Sequence, residues 1–229
     1  MRLRALTWNL MHGRSQPPAG RYLLDEFAAA LGGWQWDVAL LQEVPPWWPE
    51  ELAARLGGGT QYRTVLTSRN ELLLVRRALA IRWPDAIKSA GGGANAMLLR
   101  RADLRIADHR LKLLSRRPER RRLQAMRLLT DGGELWVGNL HATVHDDPAA
   151  RQESEQARVA MMRWAAGAPI VLGGDFNVRG LALAGLVAAA SHDVDYIFVA
   201  GLEAIGAAQV LNRGVLSDHA PVAVTLAAF

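Results

Sequence analysis

The sequence predicts an α/β or α+β fold, and three observations lead there. Short apolar, β-branched runs bounded by turn residues recur along all 229 residues, as buried strands do. A few longer stretches carry apolar residues at three- and four-residue spacing, the period of a helix resting on a sheet. The two kinds of segment do not alternate strictly, which excludes a plain repetition of strand–helix–strand units.

Residues 3–10 read as the first strand and 13–20 as a turn-rich loop. Residues 21–31 carry Leu23, Leu24, Phe27 and Leu31 at helical spacing, ended by Gly32-Gly33. Residues 38–41 form a second buried strand leading to Gln42-Glu43, and 46–56 form a helix stopped by Gly57-Gly58-Gly59. From 62 to 130, short apolar runs alternate with turns and predict several antiparallel strands. Residues 135–141 are another strand. Residues 148–164 have helical spacing at Ala150, Ala157, Met161 and Trp164 and lead into the strand before Gly173. An Ala-rich helix is expected over 181–190, then strands over 194–199, 207–211 and 220–226. Both halves pair strands with a long helix, which fits an internal structural duplication, although no residue-level repeat is visible.

No Pro/Ser-rich linker divides the chain, so one domain over 1–229 is expected. Half of the residues are hydrophobic, enough for a sizeable core, yet no apolar run reaches the length of a membrane span. The first residues run straight into a strand-like segment without an apolar signal region, so a cytoplasmic location is expected. The absence of cysteine excludes disulfides, thiolate metal sites and cysteine nucleophiles. The formal charge of +5 is carried almost wholly by arginine, Lys88 and Lys112 being the only lysines. Arginine binds phosphate bidentately and suits a polyanionic substrate, but coding bias toward arginine explains the same composition.

The most informative segment is Ile170-Val171-Leu172-Gly173-Gly174-Asp175-Phe176-Asn177. It reads as a buried strand with two glycines to turn its end and with a carboxylate and an amide emerging together. In extended chain Asp175 and Asn177 share a face and Phe176 enters the core. An Asx-turn closing a strand fits the octapeptide equally well. Other polar residues recur at strand ends: Asn9, Glu43, His141, and Asp218-His219 before the last strand. Asp195 lies inside an apolar run, where a buried carboxylate needs a partner such as histidine.

These positions fall in the motifs Thr7-Trp8-Asn9-Leu10, Leu41-Gln42-Glu43-Val44, Gly138-Asn139-Leu140-His141, Gly173-Gly174-Asp175-Phe176-Asn177, Val194-Asp195-Tyr196-Ile197-Phe198 and Leu216-Ser217-Asp218-His219-Ala220-Pro221. In that order, and over nearly the whole chain, they resemble the endonuclease/exonuclease/phosphatase superfamily, the deoxyribonuclease I-like proteins. Gly93-Ala94-Asn95-Ala96-Met97-Leu98 resembles the family's central strand. The resemblance implies a four-layer α/β/β/α sandwich of two mixed sheets flanked by helices, and divalent-metal-dependent cleavage of a phosphoester.

Phosphoester hydrolysis needs a cation on the phosphoryl oxygens, an oriented water and stabilisation of the leaving oxygen. Glu43 supplies a hard oxygen ligand, with Asn9 and Asp218 beside it. An all-oxygen set points to Mg²⁺, with Mn²⁺ as a substitute. His219, oriented by Asp195 through its other ring nitrogen, is a general base or transition-state partner. Asp175 positions or deprotonates the attacking water, Asn177 holds water or phosphate, and His141 donates to a non-bridging oxygen. Whether Asp175 or His219 takes the proton stays open.

His12 and Asn95 are further substrate-binding candidates. Glu71 reads as a surface charge before it reads as a partner for His141. Trp47-Trp48 reads as a packed helix face before a base-stacking platform. Arg116-Arg117 and Arg120-Arg121-Arg122 form a basic cluster that either grips phosphates or is solvated. The leading expectation is a phosphodiesterase or nuclease acting on nucleic acid. The alternative is a phosphatase or phosphodiesterase for small or lipid-linked phosphates such as phosphoinositides. A catalytically silent binding module ranks last, because every expected catalytic position holds a competent residue. No feature points to an obligate protein partner.

Overall fold

A computed structural model describes residues 2–67 and 70–228. The chain begins with β1 (Arg2–Asn9), α1 (Leu24–Gly33), β2 (Val38–Val44), α2 (Trp48–Leu56) and β3 (Gln61–Leu66). Two helices, α3 (Leu73–Arg82) and the short α4 (Pro84–Ile87), precede β4 (Ala94–Leu99). The long hairpin β5 (Arg105–Ser115) and β6 (Arg121–Thr130) leads to β7 (Gly133–His141), α5 (Asp147–Ala165) and β8 (Ile170–Asp175). The chain closes with β9 (Val187–His192), β10 (Asp195–Ala200), β11 (Leu202–Ala204), β12 (Gln209–Val210) and β13 (Val222–Ala228).

The strands form two mixed sheets, one ordered β11-β13-β1-β2-β4-β3 with β12 on β13, the other β5-β6-β7-β8-β10-β9. Each has a parallel pair inside it, β1–β2 and β7–β8, and each pair is bridged by a helix (α1 and α5), as a parallel connection requires. Helices cover the outer faces, giving the four-layer α/β/β/α sandwich. None of the described helices is long and apolar enough to cross a membrane.

Side-chain alternation sorts the strands into three cores. Leu3, Ala5, Val38, Leu40, Val137, Val171 and Ile197 meet between the sheets. Leu6, Trp8 and Leu41 turn outward onto Phe27, Leu31 and Trp48 of the first helices. Leu172, Phe176 and Phe198 turn outward onto Ala157 and Met161 of α5. The same period carries Asn9, Gln42, Asn139, His141, Asp175 and Asp195 onto the inter-sheet side of their strands, near one end of the sandwich.

Several local expectations need correction. Residues 181–190 are not a helix: Gly180 and Gly185 take left-handed φ of 62° and 75°, and Val187–His192 pairs with β10 as a strand. Between β3 and β4 the chain forms α3 and α4 instead of further strands. Leu, Ala and Arg favour helix there, and α3 buries none of its residues, so sheet packing does not override propensity. The strand at 207–211 shrinks to Gln209–Val210, and β11 was not foreseen.

The glycines at 173 and 174 serve close approach and do not turn the strand end. A Cβ on Gly174, whose φ is 145°, would lie 1.9 Å from the Leu140 carbonyl oxygen on the parallel neighbour. A Cβ on Gly173 would lie 2.7 Å from Leu40 Cδ1 across the sheet interface.

Candidate active site

The ladders set the lateral order of the site. In the β7–β8 register His141 lies beside Asp175, and in the β8–β10 register Asp195 lies beside Asp175 on the other side. Two carboxylates side by side on one sheet face repel, so the pair needs a cation or a proton. His219 supplies it: its Nδ1 is 2.8 Å from Asp195 Oδ2 and its Nε2 is 3.8 Å from Asp175 Oδ2. Burial pushes the Asp175 carboxyl up, reinforced by the Asp195 charge, to about 7. Burial likewise raises Asp195, opposed by its hydrogen bond to His219. Burial alone would lower His219, but the Asp195 hydrogen bond and the charges of Asp195 and Asp175 outweigh it and hold the imidazole at about 9.

The loop bearing His219 is fastened to the end of β1. Ser217 takes φ 60°, its hydroxyl donates to the Asn9 carbonyl at 2.6 Å, and the His219 amide donates back to that hydroxyl at 3.1 Å. The Trp8 indole donates to the His219 carbonyl at 3.0 Å. Ser217 is therefore a positioning residue; the sequence reading quoted its motif and gave it no task.

Asn9 joins the two sheets at the site. Its Nδ2 donates to Asp175 Oδ2 at 2.9 Å, and its Oδ1 accepts from the Met11 amide at 2.9 Å. Asp175 Oδ1 accepts from the Asn177 amide at 3.0 Å. Asn177 itself is not extended: its φ is 52°, and its Nδ2 donates to the Ala142 carbonyl at 3.0 Å. The alternation argument for a shared face with Asp175 fails here, because the strand ends at Asp175.

Glu43 reaches the site through a bulge. The β2–β4 register shifts between Leu41 and Val44, and Glu43 takes φ 49°. The irregularity leaves carbonyls to satisfy, and buried Asn139 from the opposite sheet donates to Leu41 O and Ala96 O, both at 3.0 Å. Buried Gln42 donates to Asn139 Oδ1 at 2.8 Å. Two motif amides thus hold the bulge that presents Glu43. Its Oε1 is 3.8 Å from His141 Nε2 and its Oε2 is 3.2 Å from His12 Nε2. His141 also stands 3.6 Å from Asp175 Oδ2, and burial with nearby Arg121 drives its imidazole well below the ordinary value. Burial lowers His12 as well, against the pull of Glu43.

Glu43, His12 and His141 line a cavity of about 30 Å³ with Thr67, Ser89, Gly93, Glu119 and Arg121. Arg121 is 3% exposed and pairs with Glu119 Oε2 at 3.2 Å, so this arginine of the basic cluster is neither solvated nor in a loop. The sequence reading missed its place because a run of arginines carries no sign of which one the register turns inward. Asp218 opens instead on a second recess with His192, Asp193, Asp195, Arg213, His219 and Ala220, and none of the described contacts brings it to Glu43. Asn95 is buried in β4 with neither side-chain atom hydrogen-bonded, while Gly93 forms the nearby cavity wall. Glu71 is exposed, and the carboxylates that face His141 are Glu43 and Asp175. Both indoles of Trp47 and Trp48 donate to the Tyr22 hydroxyl; Trp48 is buried in the helix–sheet core and Trp47 is partly buried against it.

Residues 6–219 match the Endonuclease/Exonuclease/phosphatase family. The chain belongs to that family. Its members hydrolyse phosphoesters and generally use a divalent metal. Solved structures agree on the fold. A family protein from Bacteroides vulgatus superposes with TM-score 0.77 at 16% identity, covering 100% of both chains. D. rerio TDP2, humanized by 14 mutations, gives 0.69 at 15% identity over 99% of each chain. A Bacteroides thetaiotaomicron mannosyl-6-phosphatase gives 0.71 at 18% identity, over 98% of this chain and 99% of that one. No curated protein sequence matches. At such identities the family fold is shared and the substrate is not specified.

The donors present fit a divalent cation at Glu43. Its carboxylate is a hard ligand lining the cavity, and its ion-pair partners among the described residues are the histidines His12 and His141. Asn9 has one Oδ1 lone pair left beyond its bond from Met11. Asp175, Asp195 and His219 also place ligand atoms within 4.8 Å of one another. There, however, Nδ1 is already spent on Asp195, the arrangement of an acid–base dyad.

Proposed function

We propose that this protein is a metal-dependent phosphoester hydrolase, a phosphodiesterase or nuclease that cleaves nucleic acid by in-line attack of water. The observation that carries the reading is the Asp175–His219–Asp195 cluster, with His141 and Glu43 alongside. A divalent cation held by Glu43, Mg²⁺ or Mn²⁺, would polarise the phosphoryl oxygens and offset their charge. Asp175, raised to about 7, is the residue that takes the proton from the attacking water. Asn9 fixes the Asp175 carboxylate through Oδ2. His219, held as imidazolium by Asp195, donates Nε2–H toward the phosphoryl group, which removes it from the role of base at neutral pH. His141, held neutral, donates to a non-bridging oxygen. Asn177 keeps its second Nδ2–H and its Oδ1 for water or phosphate. Arg121 meets phosphate from the far wall of the cavity. The positive formal charge of +5 suits a polyanion.

A second reading, a phosphatase for small phosphomonoesters, is favoured by the buried Arg121 in the wall of the cavity beside Glu43. Incubation in Mg²⁺ and in Mn²⁺ with plasmid DNA, RNA and a panel of phosphomonoesters separates the two. Cleaved nucleic acid with monoesters intact supports the diesterase. Plasmid and RNA left intact while monoesters release phosphate would reverse the ranking.

A further inference from the structure

Met11, His12 and Gly13 follow Asn9 in a backbone conformation that sequences rarely adopt: their φ values are 50°, 54° and 74°, three successive residues on the left-handed side. Non-glycine residues held there cost about 1–3 kcal/mol each and persist only where their surroundings enforce them. The enforcement is visible. A Cβ on Gly13 would lie 2.4 Å from the Trp48 ring, so only glycine lets the turn sit on that indole. On the other side the His12 ring packs over Gly93, where a Cβ would lie 3.5 Å from its Cε1, ordinary contact distance. The turn swings the His12 imidazole into the cavity that holds Glu43.

The two ring nitrogens are then distinguished by their partners. Nδ1 is 3.2 Å from the Gly92 carbonyl oxygen, which can only accept, so Nδ1 carries the proton. In the neutral ring Nε2 keeps a bare lone pair, and it points at Glu43 Oε2 at 3.2 Å. Two acceptors at that range repel unless something positive lies against both. Bonds of about 2.1–2.2 Å from one octahedral ion to adjacent nitrogen and oxygen ligands place those atoms about 3 Å apart, close to the separation found. A backbone carbonyl that fixes the tautomer of a ligating histidine is the usual outer support of such a bond.

We infer that His12 is a nitrogen ligand of the same cation that Glu43 holds, so that the metal site is mixed N/O and prefers Mn²⁺ to Mg²⁺. This rests on the metal-dependent reading above and deepens it: imidazole adds affinity for first-row transition ions, least for Mn²⁺ among them, while contributing still less for Mg²⁺. The place assigned to His12 from sequence, against substrate, gives way to one against the ion.

The test uses the full chain loaded with one equivalent of Mn²⁺. Electron spin-echo modulation on the wild type should show coupling to an imidazole ¹⁴N. That coupling should persist in His141→Ala and disappear in His12→Ala. The His12→Ala protein should bind Mn²⁺ at least about tenfold more weakly, with a smaller loss for Mg²⁺, by calorimetry. Absence of imidazole coupling in the wild type, or its survival in His12→Ala, overturns the inference and leaves His12 as an ion-pair partner of Glu43. In that event Mn²⁺ binding that is still lost in Glu43→Gln preserves the metal-dependent reading. Binding unaffected by Glu43→Gln removes both. Where His12→Ala fails to fold, absence of imidazole coupling in the wild type, or its loss in His141→Ala, still overturns the inference.

Discussion

Replacing Asp195 by asparagine removes the carboxylate on His219 Nδ1 while keeping its shape and an acceptor oxygen. In the wild type that imidazole is held at about 9 against an ordinary 6.5. The difference corresponds to about 3 kcal/mol favouring the imidazolium, a few-hundred-fold in its protonation constant. Burial opposes this, so loss of the Asp195 hydrogen bond and charge should bring His219 well down from about 9, leaving only the pull of Asp175 and Asp218 against burial. The linkage has a definite sign. Because the folded-state value is raised, the stabilisation from His219 is fully present below pH 6.5 and is lost as pH rises through about 9. Wild-type unfolding free energy should therefore fall over that window by up to about 3 kcal/mol, and the Asp195→Asn protein should show little of the fall. The assay is an NMR titration of the His219 ring in both proteins, paired with urea unfolding at several pH values. Turnover at neutral pH should drop by about 10²–10⁴ as the imidazolium is lost. A His219 that titrates near 6.5 in the wild type, or still near 9 in Asp195→Asn, refutes the reasoning.

Three further outcomes follow from the same contacts. Gly174→Ala pushes a Cβ against the Leu140 carbonyl at 1.9 Å, where no side chain can yield, and should destabilise by more than about 4 kcal/mol; a loss under about 1 kcal/mol in denaturant contradicts the close-approach account. Asn139→Ala strands the Leu41 and Ala96 carbonyls and should cost about 3 kcal/mol, and it should weaken Mn²⁺ binding because the bulge under Glu43 loosens. Unchanged metal affinity would separate the staple from the site. Arg121→Ala should raise KM for a phosphoester at least about tenfold and, because the side chain is buried and paired with Glu119, also lower the melting temperature, while Arg121→Lys should recover part of both; an unaltered KM removes Arg121 from substrate binding.

The architecture was legible because its cause is local. Apolar runs of period two, such as Leu3 to Trp8 and Val137 to Leu140, specify which residues turn inward, and the motif residues sit at the inward positions of those runs. What stayed hidden depends on distant partners. Glu43 lies on the outward phase of β2, and only the bulge held by Asn139 from the other sheet turns it to the site. Nothing local distinguishes Arg121 from Arg120 or Arg122 until the β5–β6 register is known. The segment Leu72 to Ile87 was misread because helix and strand both tolerate its apolar runs, and no buried face arbitrates. Residues 181–190 were misread for the opposite reason: alanine favours helix, but pairing with β10 and two left-handed glycines decide for a strand.

The most direct measurement is hydrolysis of bis-p-nitrophenyl phosphate by the metal-free protein before and after addition of Mg²⁺ or Mn²⁺, beside Asp175→Asn and His219→Ala. The account predicts turnover that requires the cation, is abolished by EDTA and falls at least about 10²-fold in each variant. Absence of turnover with either ion, or turnover that survives Asp175→Asn unchanged, would contradict it.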